Sequence, residues 1–172
     1  MPMYLYLGDI TRMETDAIVN AAGTDLRRCP GICDAIFAAA DTEELERACR
    51  KLGRCRIGQA VATPGCGLPC RYIIHVAGPG WYGGEPRERF LLAGCYQNAL
   101  HKAYLCSCRR VAVPLIFSGD CHMPRAASLR VAGAAISDFC QHHPSMEVTL
   151  VLYRQSIYDM AKRILGWEDA PS

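Results

Sequence analysis

Short apolar segments that do not alternate in polarity, set between helical patterns, constrain this fold more than any other feature of the sequence. Residues 17–19 (Ala-Ile-Val), 111–115 (Val-Ala-Val-Pro-Leu) and 148–152 (Val-Thr-Leu-Val-Leu) have this form. A strand with one wet face alternates, whereas a strand covered on both faces reads as a continuous apolar run. Helical patterns separate them, at residues 33–39, 43–52, 87–105, 125–141 and 155–165. Asp41 and Thr42 are the expected caps of the second helix and Gly53 its stop. In the long third helix, Phe90, Leu91, Cys95, Leu100 and Tyr104 are spaced to share an apolar face. Further strands are expected at residues 3–7, 59–63 and 72–76. Thr11-Arg-Met-Glu14 has the form of a capping box. Alternating strands and helices predict an α/β sheet covered on both sides and largely parallel. At 172 residues the chain is about one domain long, and its 51% apolar content is ample for one continuous core. Residues 167–172 read as a loose tail.

Open sheets of this kind bind ligands beyond the carboxyl ends of their strands, which directs attention to the loops. Gly8-Asp9-Ile10 follows the first strand. Asp9 is a possible helix cap, but Thr11 is an equally good one and would leave the carboxylate free to accept from an amine. Pro30-Gly31-Ile32 opens a helix, where unpaired N–H groups and a partial positive charge favour phosphate. Phe117-Ser-Gly-Asp120 also joins a buried strand to a helix, and two such loops facing each other can enclose a diphosphate. No G-x-x-x-x-G-K-[ST] or G-x-G-x-x-G occurs, which argues against a P-loop NTPase and a dinucleotide-dependent oxidoreductase.

Charged residues make up 21% of the chain and the net charge is +2, so bulk charge calls for neither nucleic acid nor membrane. Arg47, Arg50, Lys51, Arg54 and Arg56 do cluster, and read as a solvated helix face with its exit loop. No segment has the length of a membrane span, and the first residues lack the features of a signal peptide, so a cytoplasmic location is expected. Eleven cysteines are an odd number without a C-x-x-C pair. Spacings such as Cys29/Cys33, Cys66/Cys70 and Cys106/Cys108 fit no standard zinc set, so no metal or other cofactor is expected. The cysteines read as reduced, small apolar side chains. His75, in mid-strand, reads as a satisfied core histidine.

Gly8-Asp-Ile10, Asp16-Ala-Ile-Val-Asn-Ala-Ala22, Pro30-Gly-Ile32, Tyr72-Ile-Ile-His-Val-Ala-Gly-Pro79 and Val113-Pro-Leu-Ile-Phe-Ser-Gly119 occur in the order found in macrodomains, and nearly the whole chain resembles that family. The resemblance implies a three-layer α/β/α sandwich around a mixed, largely parallel sheet of six or seven strands, spanning residues 1–166 before the tail at 167–172. It implies ADP-ribose, free or attached to protein, as the partner. Asp9 would accept from the adenine amino group, and the Ile10 backbone would contact the ring. The backbone of Gly31, Ile32 and Cys33, with that of Ser118, Gly119, Asp120 and Cys121, would hold the diphosphate and distal ribose. Asn20 would lie near the base of the ribose pocket, or brace its loop.

The chain departs from the family pattern where hydrolysis needs it most. The second Asn of the N-A-A-N signature, which orients the proximal ribose, is Gly23. The Asp that follows the glycine-rich loop in MacroD-type hydrolases is Cys33. Cys121 and His122 replace an aromatic and a glycine in the second loop. Backbone N–H groups survive such changes and catalytic side chains do not. Asp25, Asp34, Asp120, His122 and the Cys33 thiol are the conceivable substitutes. The leading expectation is a binding module with its usual catalytic residues replaced. The alternative is a hydrolase of ADP-ribosyl-carboxylate esters or O-acetyl-ADP-ribose using substrate-assisted water attack. RNA or poly(ADP-ribose) binding rests only on the Arg/Lys cluster.

Overall fold

The computed structural model describes residues 3–79, 85–116 and 123–171. Seven strands form one sheet: β1 (Met3–Leu7), β2 (Ala17–Ala22), β3 (Ala60–Pro64), β4 (Tyr72–Ala77), β5 (Arg110–Pro114), β6 (Glu147–Leu152) and β7 (Glu168–Asp169). Their order across the sheet is β3-β4-β2-β5-β6-β1-β7. Only β3 runs antiparallel to its neighbour, and every other pair is parallel. The helices are α1 (Ile32–Ala39), α2 (Thr42–Leu52), α3 (Pro86–Leu105), α4 (Arg125–His142) and α5 (Gln155–Leu165). No helix among the described residues is long and apolar enough to cross a membrane.

Each face of the sheet carries its own core, as the non-alternating strands require. Ala17 and Val19 of β2 face the core shared with α3, α4 and α5. Ile18 and Ala22 face the core shared with α1 and α2. Asp16 clamps the start of β2 to both neighbours. Its carbonyl accepts from the Tyr72 N–H at 3.1 Å, and its Oδ2 accepts from the Arg109 and Arg110 N–H groups at 2.8 and 3.0 Å. Partial burial raises the Asp16 pKa, but those two N–H groups and the Arg71 and Arg110 guanidinium charges outweigh it and hold it below its ordinary value.

Three local expectations are corrected. The buried face of α3 is Leu92, Cys95, Tyr96, Ala99, Leu100 and Ala103, while Phe90 is 77% and Tyr104 45% exposed. The small Ala99 and Ala103 let the helix approach the sheet closely, so the size of the aromatics misidentified the inner stripe. The capping box at Thr11 does not form. A single 3-10 turn over Ile10–Arg12 is capped by Asp9 instead. The closing segment is not loose: β7 pairs with β1, and the Ala170 N–H donates to the Leu5 carbonyl at 2.9 Å. Tyr158 and Asp169 hydrogen-bond, and Lys162 donates to the Trp167 carbonyl. The strand is only two residues long, too short for periodicity to show.

Candidate functional site

The connection after β2 leads through α1 and α2 to one edge of the sheet, and the connection after β5 leads through α4 toward the other. Adjacent strands whose exits diverge leave a crevice at their carboxyl ends. Pairing shows the divergence directly. β2 and β5 pair only at Ala17–Val111 and Ile18–Ala112, although β2 continues to Ala22 and β5 to Pro114. The start of α1 lies at one lip of this crevice.

The α1 lip is built around Gly31. Its φ is 87° and ψ is −138°, a conformation that only glycine adopts readily. Gly31 is the N-cap of α1 and offers no side-chain acceptor. The first-turn N–H groups, including those of Ile32 and Cys33, have no acceptor within the helix. The helix dipole adds partial positive charge at the same point. Together these features give the start of α1 the chemistry that suits an anion. The Tyr96 hydroxyl accepts the Ile116 N–H at 2.8 Å and holds the chain just past the end of β5. Sequence reading missed this positioning residue, because nothing in the α3 pattern marks one aromatic as a hydrogen-bond partner for a distant loop. Ser118, Gly119, Asp120, Cys121 and His122 lie outside the described residues.

Asp9 sits beyond the end of β1, beside Gly8, whose N–H donates to the Leu152 carbonyl at 2.9 Å. Asp9, not Thr11, is the cap. Its Oδ1 accepts from the Thr11 N–H at 2.9 Å and from the Thr11 hydroxyl at 2.7 Å. Both bonds fall on one oxygen, and Oδ2 has no partner among the described residues. The Ile10 side chain is buried in the α1–α2 core and anchors this turn. From β1 to β2 is three strand spacings, about 14 Å at the usual ~4.8 Å each, the scale of an extended nucleoside diphosphate.

Asn20 is fully buried and points to the same face as Ile18. Its Nδ2 donates to His75 Nδ1 at 3.0 Å and contacts the Cys33 sulfur at 3.7 Å. An amide nitrogen only donates, so His75 Nδ1 is the accepting nitrogen, and Nε2–H donates to Thr63 Oγ1 at 3.0 Å. Burial lowers the His75 pKa to about 4, and the ring is neutral. His75 is therefore a satisfied core histidine. Asn20 Oδ1 is buried without a partner among the described residues.

Gly23 lies at the end of this lip. Its carbonyl accepts from the Leu26 N–H at 3.2 Å. Cys33 is 1% exposed, and its thiol contacts the Arg27 carbonyl at 3.8 Å. Burial, followed by contact with Cys33, pushes the Cys29 thiol up to about 12. Asp34 is committed to Arg28 at 2.6 Å, and Asp25 Oδ1 accepts the Arg27 N–H at 3.1 Å. No carboxylate among these is left in the place of the replaced Asp.

All cysteines among the described residues are free thiols. Burial pushes Cys95 up to about 12 and Cys49, Cys70, Cys108 and Cys140 up to about 11, so they are protonated at neutral pH. Among the described residues, no group of three or more His, Cys, Asp or Glu side chains is placed to hold a metal ion.

A largely parallel sheet, a helix start with no side-chain cap at its switch point and a carboxylate three strands away define an α/β module whose shape suits a nucleotide. The Macro domain family model matches residues 19–132. A relative from Escherichia fergusonii, named O-acetyl-ADP-ribose deacetylase, is 38% identical over 168 residues, covering 95% of this chain and 94% of its own. The Oceanobacillus iheyensis macrodomain solved with ADP superposes with a TM-score of 0.89 at 31% identity, covering 94% of this chain and 88% of that one. The Trypanosoma brucei macrodomain in complex with ADP-ribose gives 0.86 at 26% identity, covering 95% and 69%. The chain belongs to the macro domain family.

Proposed function

We propose that this macrodomain binds ADP-ribose, free or protein-attached, and that its lasting function is recognition. The observation that carries this reading is the uncapped start of α1 at Gly31, an anion site at the β2–β5 crevice. Asp9 Oδ2, the oxygen not used for capping, takes the adenine amino group. The Ile10 backbone borders the ring. The amides of Gly31 to Cys33 take the diphosphate, opposed by the segment Ser118 to Cys121. Asn20, committed to His75, braces the floor of the ribose end from beneath. Gly23 leaves the proximal ribose without its usual amide, and the buried, engaged Cys33 thiol does not position a water.

Calorimetry with ADP-ribose, ADP and AMP tests the shared premise, and no heat at millimolar ligand would refute it. Asp9→Asn is the informative variant. Asn keeps the cap through its own oxygen, but turns the free atom into an NH2 that opposes the adenine amino donor. ADP-ribose affinity is expected to drop about tenfold or more, with thermal stability unchanged. An unaltered affinity would detach Asp9 from adenine.

A hydrolytic second reading is favoured by the likeness to the relative named O-acetyl-ADP-ribose deacetylase. Release of ADP-ribose from a glutamate-ADP-ribosylated protein decides between the two. Gly23→Asn needs only a small shift of one side chain, since a Cβ at this position would meet Asp25 Oδ1 at 3.3 Å and no other atom within 4 Å. Turnover by Gly23→Asn but not by wild type supports the binding module. Robust wild-type release overturns it.

A further inference from the structure

The basic cluster noted in the sequence is not a detached helix face, because the fold brings it against the nucleotide crevice. The Cys55 N–H donates to the Thr24 carbonyl at 2.9 Å, which ties the loop after α2 to the residue following Gly23. The same loop is fastened to the end of β4 by the Gly58 N–H to the Ala77 carbonyl and by a bridge between Ile57 and Ala77. Within it, Cys55 is buried and its thiol donates to the Gln59 carbonyl at 3.0 Å. The segment is therefore braced on three sides, and it presents Arg54 and Arg56 to solvent beside exposed Arg27 of the crevice lip and Arg50 and Lys51 of the last turn of α2. None of these five cations has an ion-pair partner among the described residues, whereas the neighbouring Arg28 is paired with Asp34. Leu52 and Ile57, 43% and 55% exposed, stand between them.

We propose that this cationic rim is a docking surface for the acidic polypeptide segment that carries the ADP-ribose. The inference rests on the nucleotide reading above, in which Gly23 lies at the proximal ribose, the end by which ADP-ribose is attached to a protein. A chain leaving that end meets the rim first. Unpaired cations interleaved with aliphatic side chains match a peptide of glutamates or aspartates with apolar residues among them. Single-stranded nucleic acid fits less well, because it is held by base stacking on aromatic side chains. The rim segments themselves, residues 23–28 and 50–58, contain no aromatic residue. The rim thus selects among modified proteins by the charge around the attachment point, a choice that the nucleotide pocket alone does not make.

The test compares free ADP-ribose with two short peptides bearing ADP-ribose through a non-hydrolysable linkage, one flanked by glutamates and the other by glutamines. The acidic conjugate is expected to bind about tenfold more tightly at low salt, and the advantage is expected to vanish at high salt. Arg54→Glu/Arg56→Glu is expected to abolish the preference while leaving affinity for free ADP-ribose and the melting temperature unchanged. Equal binding of the two conjugates, with free ADP-ribose still bound, would overturn the proposal. Stronger competition at the rim by a single-stranded RNA than by the unmodified acidic peptide would overturn it in favour of nucleic acid. If free ADP-ribose does not bind but the acidic peptide still does, in an Arg54- and Arg56-dependent way, the rim stands and the nucleotide reading falls.

Discussion

Gly31→Ala is expected to leave a folded protein that has lost most of its affinity for ADP-ribose. A Cβ at this position meets no atom within 4 Å, so space is not the obstacle. The obstacle is the backbone, held at φ 87° and ψ −138°, where an L side chain is strained by about 1–3 kcal/mol. The chain either bears that strain, lowering the melting temperature by several degrees, or rotates out of it. Rotation turns the first amides of α1 away from the crevice, and with them the anion site. Calorimetry is expected to show at least a tenfold loss, with a far-ultraviolet spectrum like that of wild type. Unchanged affinity without a drop in melting temperature would mean that the start of α1 does not hold the diphosphate.

The second large effect concerns pH and the floor beneath the site. His75 has an ordinary pKa of 6.5 and a folded value of about 4, lowered by burial. The unfolded chain therefore binds the proton more readily between those values. The stabilisation is complete above pH 6.5 and is lost as the pH falls toward 4. The shift amounts to about 3 kcal/mol. Protonation also places a proton on Nδ1, the nitrogen that accepts from Asn20, and disrupts this side-chain hydrogen bond between β2 and β4. His75→Gln can accept from Asn20 and donate to Thr63 without titrating. Urea unfolding at several pH values is expected to give a flatter profile for this variant than for wild type, by about that amount. Asp16 contributes in the same direction at lower pH, since its depressed pKa stabilises the fold above its ordinary value and ceases to do so as the pH falls through the folded one. The difference between the two proteins isolates the imidazole. Parallel profiles would show that His75 is not kept neutral by the fold.

Much of this architecture was legible in the chain. Residues 17–19 and 148–152 announced strands buried on both faces, because apolar side chains on successive residues need cover on each side. Asp41 and Gly53 bounded α2 because capping is local chemistry, settled within a few residues. Gly31 marked a helix start for the same reason. The ordered segments from Gly8 to Gly119 carried the family likeness, and with it the expected places of adenine and diphosphate.

What the sequence left open depended on partners far along the chain. Asp9 and Thr11 were equivalent caps on composition, and only the path of the turn after β1 put the Asp9 carboxylate over the Thr11 N–H. The inner stripe of α3 depended on how closely Ala99 and Ala103 could approach the sheet, a property of two surfaces together. The basic run at Arg54 and Arg56 looked like an ordinary wet helix end until the Cys55–Thr24 hydrogen bond placed it beside Gly23. Periodicity and caps are encoded within a turn or two, and so the sequence by itself determined the layers, most of the strands and the ends of the helices. Which loops meet at the crevice is decided by strand order and long-range hydrogen bonds, and that only the tertiary structure supplied.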